Sequence, residues 1–142
     1  MKVYIAASSD DIARAEHWTT TLRDYGIDVV STWPAAVRAI GVANPTDATD
    51  AQRRSWSGGC LLEVAACDVL WLLAPDNGHG RGAYAELGAA HAMGKILIAS
   101  GDVTQSVFCA QATEFVLDGQ AAGRIVDMAE QPHHRHLKEM RQ

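Results

Sequence analysis

Val69-Leu-Trp-Leu-Leu-Ala74 runs straight into Pro75-Asp-Asn-Gly-His-Gly-Arg81 and then Gly82-Ala-Tyr-Ala-Glu86. The six apolar residues at the front are too few for an ordinary helix, and they lack the polar alternation of a strand with one wet face. They fit a strand covered on both faces, the kind found in the middle of a parallel sheet. The glycine-rich segment behind it breaks the chain, and a small-residue run then starts a helix over residues 82–93 that Gly94 stops.

The same strand-then-helix unit recurs on either side. Lys2-Val-Tyr-Ile-Ala-Ala7 reads as an opening strand, and Ser8-Ser-Asp-Asp11 supplies helix-capping side chains. Ile12, Ala15, Trp18 and Leu22 place an apolar stripe on a helix over residues 12–25, which Gly26 ends. A second strand covers residues 27–30, and residues 31–45 carry no strong period. Thr46 and Asp47, or Thr49 and Asp50, cap a helix to about residue 66, with a break marked by Gly58-Gly59. Residues 95–99 and 114–117 form the fourth and fifth strands, separated by a short helix over 104–110, and a last helix spans 119–130.

Strict alternation of short strands and helices implies parallel strands joined by right-handed crossovers. The expected fold is therefore α/β, a three-layer sandwich with a five-stranded parallel sheet, flavodoxin-like or Rossmann-like. Residues 1–131 form one domain and residues 132–142 a polar C-terminal tail. His133, His134 and His136 in that tail read as a solvated terminus ahead of a metal site. Ligands of such sheets sit at the carboxyl ends of the strands where strand order reverses, which selects the loops at residues 7–11, 31–44 and 75–82.

Composition narrows the function. At 142 residues and 48% hydrophobic, the chain is long enough for one real core and no more. A net charge of -5 with a pI near 5.6 leaves no basic face for a phosphate backbone, which argues against a nucleic-acid polymer as partner. Cys60, Cys67 and Cys109 sit among apolar residues without a CxxC spacing, so they read as buried reduced thiols. The longest apolar run is far too short to span a bilayer and no signal-peptide pattern opens the chain, so no membrane partner and a cytoplasmic location are expected. No metal and no cofactor is called for.

The loop and helix after the central strand carry the chemistry. Alternate glycines at 78, 80 and 82 release backbone amides toward a ligand at a helix start, a natural anion site. Glu86 falls in the second turn, where the helix dipole is expected to hold its carboxylate ionised and ready as a nucleophile. Asp76, His79 and Arg81 offer an acid, a group that titrates near neutrality and an anion clamp. The same loop also satisfies G-x-G-x-x-A with Asp102 about 20 residues on, a dinucleotide fingerprint, although such a motif normally opens the first strand-helix unit.

Val3-Tyr-Ile-Ala-Ala-Ser8, Cys67-Asp-Val-Leu70 and Gly82-Ala-Tyr-Ala-Glu-Leu-Gly-Ala-Ala-His-Ala-Met-Gly-Lys95 together resemble the nucleoside 2-deoxyribosyltransferase superfamily, including its deoxynucleoside monophosphate N-hydrolase branch. The resemblance covers residues 1–118 or so. It implies that Glu86 attacks C1′ of a 2-deoxyribosyl group, displaces the base and forms a covalent glycosyl-enzyme that water or a second base resolves. By the same resemblance Tyr4 orients the nucleophile; Asp76 and His79 are catalytic candidates from the loop itself, apart from the resemblance. Ser8, Ser9, Gly80, Arg81 and Gly82 hold the sugar or its 5′-phosphate, and Trp33 stacks on the base. A homodimer or higher homo-oligomer is implied, with Ser106, Phe108 and Gln111 as residues lent to a neighbouring site.

Two positions depart from that pattern, the first being Gly80, six residues before Glu86, where the transferase branch often has an aspartate. The family places an aspartate eight residues before the aspartate leading into the central strand, and counting back from Asp68 that position is Cys60. Asp76, His79, Asp47 and Glu63 are the groups that stand in reach of the vacant role. The functional expectation is cleavage of the N-glycosidic bond of a 2′-deoxynucleoside or its 5′-monophosphate, by transfer or hydrolysis. Its alternative is a non-catalytic nucleotide-binding or sensing module on the same fold.

Overall fold

The computed structural model describes residues 1–41, 47–76 and 79–140, with side chains through residue 131. Five strands, β1 (Lys2–Ala6), β2 (Asp28–Val29), β3 (Val69–Ala74), β4 (Ile96–Gly101) and β5 (Thr113–Phe115), form one sheet in the order β2-β1-β3-β4-β5. Every pairing is parallel, from Val3 beside Val29 to Ser100 beside Phe115. Around the sheet lie α1 (Ile12–Asp24), α2 (Trp33–Ile40), α3 (Asp50–Ala66), α4 (Arg81–Ala92) and α5 (Asp118–Met140). This is the three-layer flavodoxin-like α/β sandwich, with its strand order reversing between β1 and β3. Among the described residues no helix is long and apolar enough to cross a membrane.

The central strand is buried along its whole length, and its side chains divide by parity. Val3, Ile5, Val69, Trp71, Leu73 and Ile98 point into one core layer, under α1 and α5. Tyr4, Ala6, Leu70, Leu72, Leu97 and Ala99 point into the other, under α3 and α4. Packing on two sides is what forces the continuous apolar run in β3.

Several elements differ from expectation, each for a local reason. Residues 33–40, read as aperiodic, form α2: Trp33, Val37 and Ile40 share one helical face, Pro34 sits in the first turn where its missing N–H costs nothing, and Gly41 closes the helix in the left-handed region. Gly58-Gly59 does not break α3. A capping box offsets the two glycines, with Thr49 Oγ1 accepting from Gln52 N–H at 3.1 Å and Gln52 Oε1 accepting from Thr49 N–H at 2.9 Å. The alternative cap at Thr46 lies outside the described residues. The short helix near residue 107 is two 3-10 turns, Val103–Gln105 and Val107–Gln111. The last helix continues through Met140, so its backbone takes in most of the segment read as a tail, while the side chains of His133, His134 and His136 lie outside the described residues.

On the α1/α5 side, one polar node ties the carboxyl ends of β3 and β4 to two helices. Arg14 donates to Asp118 through Nε at 2.7 Å and Nη2 at 2.8 Å, and through Nη1 to Asp11 at 3.0 Å and the Ala74 carbonyl at 2.9 Å. Asp118 also accepts from Ser100 Oγ at 2.7 Å and Trp18 Nε1 at 3.2 Å, and Ser100 Oγ accepts from the buried Trp71 Nε1 at 2.8 Å. Burial pushes the Asp118 carboxyl up, but the hydrogen bonds from Arg14 and Ser100 and the charge of Arg14 outweigh it and hold it below its usual value. A Cβ at Gly101, whose φ is +95°, would meet Arg14 Nη2 at 2.8 Å, so only glycine leaves room for the guanidinium.

Replacing Asp118 by alanine leaves Arg14 partly buried with one carboxylate. Urea unfolding of Asp118→Ala is expected to show a loss of about 2–3 kcal/mol, against under about 0.5 kcal/mol for removal of the exposed Asp24 carboxylate.

Candidate active site

Parity along β1 sends Tyr4 to the α3/α4 side with its ring wholly buried. On α4 the residues Ala83, Leu87 and Ala90 form the buried stripe, and Glu86 stands at its margin, half-buried. The Tyr4 hydroxyl donates to Glu86 Oε2 across this seam. A phenol fixed by the core thus holds one oxygen of a carboxyl group over the inner strand β1.

The expected electrostatics of Glu86 are corrected here. Instead of being held ionised by the helix start, its carboxyl is pushed up to about 8 by burial. The dipole acts within the first turn, whereas Glu86 is in the second and flanked by apolar side chains, so desolvation prevails. The hydrogen bond from Tyr4 works the other way and favours the ionised form.

The loop leading to α4 is built on Gly80. It caps the helix with φ +92°, and a Cβ there would meet Pro75 Cγ at 2.4 Å. Gly82 differs: it lies inside the first turn with nothing near an added Cβ, so no close approach demands a glycine there. Gly78 lies outside the described residues. Asp76, His79 and Arg81 are exposed, and His79 Nδ1 comes within 3.8 Å of Asp10 Oδ2, which brings the loops after β1 and β3 together at the strand-order reversal. Asp102, the acid of the dinucleotide fingerprint, is engaged in its own turn by the Thr104 N–H and hydroxyl and the Gln105 amide.

The other expected contacts are spread along the same rim. Ser8 is buried and its Oγ accepts from the Asp10 N–H at 3.3 Å, so it caps a turn, while Ser9 is exposed. Ser106 caps the second 3-10 turn by accepting from the Phe108 N–H at 3.2 Å, leaving Phe108 and Gln111 exposed. Trp33 donates its indole N–H to the Ile5 carbonyl at 2.8 Å, which pins the ring across the end of β1.

Beside this ring opens a cavity of about 290 Å³ between α2 and α3. Trp33, Val37 and Ile40 form one wall, and Trp56, Cys60 and Glu63 the other. Glu86 is not among the lining residues, but Trp33 and Cys60 also pack on the cluster that contains Tyr4. The cavity and the Tyr4–Glu86 pair therefore lie on the same side of the sheet, against one core cluster. Trp56 escaped the sequence reading, though Trp56, Cys60 and Glu63 at i, i+4 and i+7 repeat the spacing of Trp33, Val37 and Ile40, and two such stripes in successive helices signal facing surfaces. Cys60 is half-buried and its thiol is pushed up, first by burial and then by the charge of Glu63; Cys67 and Cys109 are buried and free.

Two solved structures share this architecture. One is the Clostridium botulinum CMP N-glycosidase BcmB, 15% identical, with 82% of this chain and 88% of that chain covered at a TM-score of 0.54. The other is a 2-deoxyribosyltransferase from Bacillus psychrosaccharolyticus, 20% identical, covering 86% of this chain and 90% of that one at a TM-score of 0.61. The fold is the same as theirs. No family model and no curated protein matches the sequence.

Two outcomes follow from this geometry. Gly80→Ala forces a left-handed alanine onto the Pro75 ring and is expected to cost about 1–3 kcal/mol in urea unfolding, with Gly82→Ala neutral or stabilising. Folding raises the Glu86 carboxyl from 4.5 to about 8, so its contribution is fully present below pH 4.5 and is lost as pH rises through about 8. Glu86→Gln removes that dependence. Its melting curve is expected to match the wild type near pH 4.5 and to exceed it by about 2 kcal/mol above pH 8.

Proposed function

We propose that the chain cleaves the N-glycosidic bond of a 2′-deoxynucleoside or its 5′-monophosphate, with Glu86 as nucleophile. The single observation that carries this reading is the pairing of the buried Tyr4 hydroxyl with the Glu86 carboxyl, on the side of the sheet where a cavity opens between α2 and α3. Support comes also from the fold shared with proteins described as a CMP N-glycosidase and a 2-deoxyribosyltransferase, and from the resemblance of the segments around Tyr4 and Glu86 to that superfamily.

In this mechanism a Glu86 oxygen bonds to C1′ as the C1′–N bond breaks, and the base leaves with the bonding pair and takes up a proton. Tyr4 keeps the second carboxyl oxygen in place, and its hydrogen bond favours the ionised nucleophile. Water, or another base, then attacks C1′ and releases Glu86 as a carboxylate. His79, exposed on the loop after β3 and 3.8 Å from Asp10 across the strand-order reversal, is assigned to meet the leaving base or a 5′-phosphate. Ser8, Ser9, Gly80 and Arg81 line the same rim as sugar or phosphate contacts.

The nucleophile must be ionised, and burial holds its carboxyl near 8, so kcat/KM is expected to rise with pH up to about 8 and then level. Base release from a panel of deoxynucleosides and their monophosphates, followed by chromatography, tests the reading. Glu86→Ala is expected to lower turnover by at least about a thousandfold and Tyr4→Phe by about 10- to 100-fold. Base release by Glu86→Ala at the wild-type rate, or none from any member of the panel, rules the reaction out.

A second reading, a nucleotide-binding module without turnover, is favoured by the thiol at Cys60, where the superfamily that the sequence resembles usually places an aspartate. It requires calorimetric binding that Glu86→Gln leaves unchanged. Self-association, with the exposed Phe108 turn at a subunit contact, is part of the same proposal and is read by light scattering.

A further inference from the structure

We infer that the cavity between α2 and α3 is a base subsite in which Glu63 determines specificity, selecting heteroaromatic bases whose edge carries adjacent N–H donors. This rests on the N-glycosidic reading above and names the residue that chooses among its substrates.

The cavity's size limits the occupant. At about 290 Å³ it stands at the lower end of ligand pockets, with room for one fused ring system. Its walls are flat and apolar where Trp33, Trp56, Val37 and Ile40 line it, which suits stacking on an aromatic face. Among the lining residues Glu63 is the one carboxylate. Its Oε1 accepts from the Thr32 N–H at 3.1 Å and its Oε2 from the Thr32 hydroxyl at 2.8 Å. Two anchors fix the plane of the carboxylate, and each oxygen keeps a second lone pair.

A carboxylate only accepts hydrogen bonds, so the base must donate. The 2-amino-6-oxo edge of guanine presents a ring N–H and an amino group side by side, matching two oxygens. Adenine sets a ring acceptor next to its amino group, and thymine flanks its single N–H with carbonyl oxygens; each turns a lone pair toward the charge. Cys60, one turn before Glu63 on the same wall, has a thiol kept neutral by burial and brings no second charge.

The test compares kcat/KM for deoxyguanosine, deoxyadenosine and thymidine, with their monophosphates, in the wild type and in Glu63→Gln. The glutamine keeps an acceptor for Thr32 but turns one acceptor into a donor, which suits adenine. The wild type is expected to prefer guanine, and the guanine-to-adenine ratio to fall by at least about tenfold in Glu63→Gln. Trp56→Ala is expected to lower all substrates by a similar factor. No guanine preference in the wild type, or an unchanged ratio in Glu63→Gln, overturns the assignment while leaving the Glu86 reaction standing. If the wild type releases no base at all, the Glu86 reaction fails, and quenching of tryptophan fluorescence by the same nucleosides decides the subsite. Guanine-selective quenching that Glu63→Gln abolishes upholds it; quenching by none overturns it.

Discussion

Covering the sheet on both faces is the constraint from which the rest of this molecule follows. A strand packed above and below must be apolar throughout, and its alternating side chains go to two separate layers. One layer receives Trp71, whose indole needs a partner and finds Ser100, then Asp118, then Arg14. The other receives Tyr4, whose hydroxyl needs a partner and finds Glu86. The same requirement, that a buried polar tip be satisfied, yields a structural clamp on one side and the Tyr4–Glu86 pair on the other.

The cost of the Tyr4–Glu86 pair is borne by its charge. Placing a carboxyl at the edge of an apolar layer favours its neutral form, so Glu86 is poised near neutrality rather than fully ionised. Desolvation of this kind also strengthens any bond the ionised oxygen makes, because fewer waters compete for it. The opposed influences of burial and the Tyr4 hydroxyl place the group where a modest change in surroundings shifts its state.

Much of this was legible in the residues. The apolar run at 69–74, the capping residues after β1 and the small residues of α4 specify the strands, the layers and the position of Glu86 without coordinates. What was not legible depended on long-range contact. Arg14 looks like any polar residue on an amphipathic helix until Asp118, 104 positions away, folds against it. The protonation of Glu86 was misjudged because local reasoning weighs the helix dipole and cannot weigh the layer that dries the site. The facing walls of α2 and α3 were hidden by an apparent lack of period between residues 31 and 45, where Pro34 and Gly41 mark the ends of a short helix.

The tether on Trp33 has one more consequence. With its indole N–H spent on the Ile5 carbonyl, the ring has no polar appetite left and little freedom to turn. A flat visitor pays almost nothing in ordering this surface, while a round or saturated one gains neither a bond nor full contact. Under the base-subsite proposal, selectivity for planarity would then be set at the end of the first strand, before any hydrogen-bonding group in the cavity is met.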